Sequence, residues 1–103
     1  MVRMSFLTRS EAEAIRLAGH LHDQQLLLFI TIEDHSELRW EGGGTIRTEL
    51  VHLSGMTKAL LYRTVELQAR ELLGDALVRT WAEAVTALDA ESTAALMQGT
   101  RAV

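Results

Sequence analysis

Neither cysteine nor proline occurs anywhere in this sequence. The lack of cysteine excludes disulfides, thiolate nucleophiles and cysteine-held zinc or iron–sulfur centres, and it fits a reducing compartment, here taken to be the cytoplasm. The lack of proline leaves glycine and polar caps as the means of breaking helices and strands. Aromatic residues make up only 5% of the chain, so its two tryptophans, Trp40 and Trp81, stand out. The most apolar run, Leu26-Leu27-Leu28-Phe29-Ile30-Thr31-Ile32, falls far short of the roughly 20 residues that a bilayer-spanning helix needs. The opening Met1-Val2-Arg3-Met4-Ser5 leads into a polar stretch and does not read as a secretion signal. Positive charge is also scarce: 10 Lys and Arg stand against 14 Asp and Glu. That balance removes the main driving force for simple nucleic-acid binding. The short apolar run predicts no membrane segment, and a length of 103 residues predicts a single domain over 1–103.

The negative charge is concentrated. Residues 23–44 hold Asp23, Glu33, Asp34, Glu37 and Glu41 against Arg39 alone, and so carry the whole chain's net −4. The same stretch contains the apolar run and Trp40, just before Gly42-Gly43-Gly44. An acidic rim beside an apolar strand suits a surface that meets a basic protein partner. Glu33, Asp34, Glu37, Trp40 and Glu41 are the candidate partner-binding residues, with the carboxylates governing encounter and the indole anchoring the contact.

Ser10 and Glu13 have capping-box spacing ahead of Ala14, Leu17, Ala18 and Leu21, which predicts a helix over 9–22. Residues 25–33 read as a strand, Asp34–Glu37 as a turn, Leu38–Glu41 as a second short strand and the triple glycine as another turn. Residues 45–53 fit either element; their Thr and Ile content favours a third strand. Leu61, Val65, Ala69 and Leu72 predict a helix over 57–73. After Gly74, the spacing of Leu77, Trp81, Val85 and Leu88 predicts another over 76–88 with Trp81 in the core, and a short last helix follows over 91–98. The expected fold class is α+β: an N-terminal helix, a short antiparallel three-stranded meander, then two or three C-terminal helices. Residues 99–103 are expected to fray.

No catalytic or cofactor signature accompanies these elements. His20 and His22, two apart on a helix, point away from one another, and His35 and His52 lie in separate segments, so no metal ligand set is expected. Asp34-His35-Ser36 holds the letters of a hydrolase triad, but neighbours in sequence cannot adopt its geometry. Gly42-Gly43-Gly44-Thr45 lacks the lysine of a phosphate loop and the spacing of a dinucleotide site. Glu33, Asp34, Glu37 and Glu41 do not match a calcium loop. No catalytic residue, metal or cofactor is therefore assigned.

One segment has a familiar outline. Strand-like Thr45–Val51, helix 57–73 and Gly74-Asp75-Ala76-Leu77-Val78-Arg79 opening another helix faintly resemble the ribbon–helix–helix repressors, over residues 45–88. That resemblance implies a dimer whose paired strands enter the DNA major groove, with Arg47 and either Thr45 or Glu49 facing outward. The segment is neutral, and Glu49 would face phosphate. The favoured expectation is instead a non-enzymatic protein–protein interaction module, a homodimer or other homo-oligomer, acting as a small inhibitor, adaptor or assembly factor. The apolar arc of helix 57–73 is wider than a chain of 103 residues readily covers, and a symmetric copy would cover it. A small ligand-binding or enzymatic dimer is the remaining alternative.

Overall fold

Ser10 caps the first helix as its spacing predicts: its hydroxyl accepts a hydrogen bond from the Glu13 amide at 3.3 Å. The computed structural model, which describes residues 1–103, places that helix second in the chain. A strand, β1 (Val2–Thr8), comes before α1 (Glu11–Asp23); then follow β2 (Leu28–Glu41), β3 (Gly44–Thr57), α2 (Tyr62–Leu73), β4 (Leu77–Ala84) and α3 (Ala90–Gly99). The four strands form one sheet in the order β2-β3-β1-β4, with every neighbouring pair antiparallel. The helices α1 and α2 cover one face. Ala14, Leu17 and Leu21 of α1, with Val65, Ala69 and Leu73 of α2, close over Met4 and Phe6 of β1 and Val51 and Leu53 of β3. Burying each of the Leu, Val, Met and Phe side chains among these stabilises the fold by about 1.5–3 kcal/mol.

The expected meander followed by helices is therefore incorrect. The sheet has four strands, one of them formed by the first residues of the chain, and the helices alternate with them. Two features account for the difference. Met4 and Phe6, both fully buried, alternate with Ser5 and Leu7, but the run is short and Ser5 and Thr8 give it a polar look. Leu77, Trp81 and Val85 have helical spacing, yet Leu77–Ala84 is a strand whose apolar positions fall on both of its faces. A bulge explains this: Thr8 pairs with Leu77 and Leu7 with Arg79, so Val78 is the extra residue. It turns Leu77 into the helix-covered core and Arg79 onto the opposite face.

The turn expected at Asp34–Glu37 is absent as well, because β2 is one strand of 14 residues and pairs residue by residue with β3 from Thr31↔Ser54 to Glu41↔Gly44. The turn at the glycines is present. Gly42 and Gly43 have φ of 60° and 80°, the backbone of a two-residue hairpin turn that suits the twist of its strands. Residues 45–53 lie in β3, as their Thr and Ile content favours. The helix expected over 57–73 begins only at Tyr62, after a single tight turn over Ala59–Leu61.

The chain end is held in place. The Arg101 amide donates to the Gln25 carbonyl at 2.8 Å, its guanidinium reaches Gln24, and Lys58 Nζ donates to the Arg101 carbonyl at 2.8 Å.

Candidate functional site

With β1 only seven residues long and β2 and β3 each fourteen, the β2–β3 hairpin runs on past the sheet as an arm. The molecule measures 50 × 27 × 20 Å. β1 covers β3 only from Val51 to Thr57. Residues 44–50 of β3 thus have β2 on one side and no strand on the other, leaving a row of backbone donors and acceptors open to pairing.

The β2–β3 hairpin carries every candidate partner-binding residue: Glu37, Trp40 and Glu41 on the arm, and Glu33 and Asp34 opposite His52 and Val51 in the body of the sheet. Because β2 is continuous, they divide by parity. Glu33, Glu37 and Glu41 lie on the face away from the helices; Asp34 and Trp40 lie on the other. Trp40 is 73% exposed, so it is no part of the core. Leu38, on the same face, and Ile46, on the opposite one, are exposed too. The carboxylates are not equivalent. Glu37 accepts from Arg79 at 2.6 Å and lies 3.2 Å from His35, and Glu41 pairs with Arg39 at 2.9 Å. Glu33 and Asp34 form no ion pair. The hydrogen bond from Arg79, then that from His35, holds the Glu37 carboxyl below the usual carboxylate range. A hydrogen bond from Ser36 does the same for Glu49.

The face without helices has a small layer of its own. Ser5 and Leu7 of β1 and Leu50 of β3 are buried there. Above them the His52 ring stacks on Trp81 with centroids 5.6 Å apart, and His35 stands edge-on to His52 at 5.9 Å. Trp81 therefore packs on this outer face, half-buried, with Nε1 donating to Glu83 at 3.3 Å. His52 Nε2 and Ser5 Oγ are buried without a hydrogen-bond partner. Burial, then the nearby charges of His35 and Arg3, pushes His52 below its ordinary value, against the pull of Glu33 and Glu83. Arg79 crosses this layer from β4 to Glu37 on β2, tying the base of the arm to the body of the sheet.

Sequence patterns gather the acidic residues but not the stacked rings or Arg79. A period-two signal for 33–41 and 77–84 would have put 33, 35 and 37 on one face and 79, 81 and 83 on another, though only the sheet order brings the two sets together. No group of three potential metal-ligating side chains converges. The second helix that the ribbon–helix–helix resemblance requires is absent, since residues 77–84 form β4.

The order β-α-β-β-α-β, with both crossover helices on one face of an antiparallel sheet, defines a ferredoxin-like α+β fold. Within that class the chain is similar to solved structures of CutA1 proteins. It superposes on CutA1 from Pyrococcus horikoshii with a TM-score of 0.87 at 14% identity, over 99% of this chain and 100% of that one. For a periplasmic divalent cation tolerance protein CutA from Archaeoglobus fulgidus the values are 0.82 and 14%, over 96% and 98%; for CutA1 from Oryza sativa they are 0.80 and 15%, over 97% and 93%. No family model and no curated protein matches the sequence. At these identities the likeness is one of fold. No helix is long and apolar enough to cross a membrane.

Proposed function

We propose that this protein is a non-enzymatic, self-associating interaction module whose β2–β3 arm is the assembly element. The observation that carries this reading is the arm itself: the open β3 edge over 44–50, flanked by exposed Leu38, Trp40 and Ile46. An edge of this kind pairs with another strand or is shielded, and a second copy of the chain supplies both a strand and apolar cover. Exposed Leu60 and Leu67 on the helical side add to the uncovered apolar area. The acidic 33–41 stretch then serves a basic protein partner, with Glu33 and Asp34 as its free charges, in a regulatory or assembly role in the cytoplasm. Divalent cation tolerance, the role for which the Archaeoglobus neighbour is named, fits the same reading, because a non-catalytic assembly can act by binding.

Size-exclusion chromatography with light scattering tests self-association. The expected mass at micromolar concentration is a multiple of 11.5 kDa. Leu38→Glu with Ile46→Glu should return the species to one chain, with the circular dichroism unchanged. A wild-type mass of one chain overturns the reading.

A further inference from the structure

The end of the sheet away from the arm joins an unpaired cation to an apolar wall. Here β1 begins, with Val2 paired to Thr57 of β3 and Ala84 of β4; the arm leaves at the opposite end, beyond Thr8. Lys58, Ala59 and Leu60, which lead into α2, line a cleft of about 300 Å³ together with Met97 of α3, Met1 and Val103. That volume is at the lower end of the range of small-molecule sites. Leu60, Met97 and Val103 are exposed, and Lys58 is the one charged side chain of the lining. Leu50, where the open edge of β3 ends, is about 23 Å along the strand from Thr57. A strand paired with that edge therefore leaves the cleft open.

Lys58 is the chain's only lysine. Its ammonium has three protons to donate. It gives one to the Arg101 carbonyl at 2.8 Å and one to the Thr100 carbonyl at 3.3 Å, and it meets no carboxylate. The surroundings have none to offer. Residues 50–65 and 92–103, which supply all of the lining but Met1, hold no Asp or Glu and carry Lys58, Arg63 and Arg101. In a chain of net charge −4 this is a local reversal of sign. A half-buried cation beside apolar surface favours an anion that brings apolar cover with it.

We propose that this cleft binds a short aliphatic carboxylate. The carboxylate takes the free proton of Lys58, and the hydrocarbon chain lies on Leu60 and Met97. An ammonium is a compact point charge that suits one carboxylate; a phosphate dianion would find too few donors here. The unbranched thioether of Met97 adapts to a flexible chain. This proposal does not depend on self-association.

The test titrates the full chain, in its native assembly state, with octanoate, octanol and octylammonium, followed by calorimetry and by amide chemical shifts. Octanoate should bind once per chain, more tightly than either other probe, and should shift the amides of Leu60 and Met97. Hexanoate should bind more weakly, by up to about fourfold for each methylene removed. Lys58→Gln should weaken octanoate about tenfold or more, as expected for a lost hydrogen bond to a charged group, and leave octanol unchanged. Lys58→Arg, which keeps the charge, should retain most of the affinity. If Lys58→Gln loosens the chain end, Leu60→Ser decides, since that side chain is exposed; it should weaken octanoate and octanol alike. Leu67→Ser, outside the cleft, should change nothing, and the Leu38→Glu, Ile46→Glu variant should bind octanoate as the wild type does. No saturation by about 10 mM octanoate, octylammonium binding as tightly, shifts away from the cleft, or an equal loss in Leu67→Ser or in the arm variant overturns the proposal.

Discussion

His52 is in an unusual position for an imidazole: stacked on Trp81, edge-on to His35, with its Nε2 buried and unpartnered. Burial keeps it below the ordinary value of 6.5. On acidification the unfolded chain therefore takes up its proton first. The stability this neutral ring contributes is intact above pH 6.5 and is lost as the pH falls from there towards the lower folded value. The melting temperature should accordingly fall more steeply below pH 6.5 in the wild type than in His52→Phe, which keeps the stacking and cannot titrate. Parallel thermal melts across that range check this, and equal slopes would show that the ring is free to protonate in place. Trp81 gives a related lesson. Its spacing to Leu77 and Val85 suits a core helix, but its indole lies half-buried against an imidazole on an outer sheet face.

Among the elements, the hairpin is the most informative, and it has an irregularity at each end. At the tip, Gly42 and Gly43 take the positive φ that a two-residue turn requires. At the base, the register slips between Leu28 and Thr31, so that Phe29 and Ile30 stand opposite Gly55 alone. Phe29 accommodates this bulge with a φ of 54°, a left-handed backbone that bulky residues rarely adopt. Gly55 is required because a Cβ there would come within 2.6 Å of Leu27 Cγ and 2.9 Å of the Leu28 carbonyl oxygen. Gly55→Ala should destabilise the fold by about 1–3 kcal/mol, the range for overpacking a closed site. A loss under about 0.5 kcal/mol in urea melts would mean that the bulge yields freely. The unbroken β2 strand also revises the acidic rim. Parity puts Glu33, Glu37 and Glu41 on the face of Arg79, and position along the strand then brings Glu37 alone to it.

At the scale of the whole molecule, a four-stranded sheet with helices on one face leaves the other face and the arm for something else. If copies of the chain provide it, folding and assembly are linked. The melting temperature should then rise with protein concentration, because dissociation accompanies unfolding. A series of calorimetric scans over a hundredfold range of concentration measures this, and a constant melting temperature would indicate an independent monomer.

Local chemistry was readable from the sequence alone. Ser10 and Glu13 mark the start of α1, Gly42 and Gly43 the hairpin turn, and Val65 and Ala69 the buried stripe of α2, because caps, positive φ and helical period act over a few residues. Tertiary structure decided the rest. The first residues became a central strand because β3 and β4 lie on either side to pair with it. Leu77–Ala84 became a strand because β1 offers it an edge, and a one-residue bulge there chose which side chains face the core. The stacked rings and the Glu37–Arg79 pair draw their residues from separate strands. Only the sheet order brings them together, and sheet order is settled by long-range pairing that no local pattern encodes.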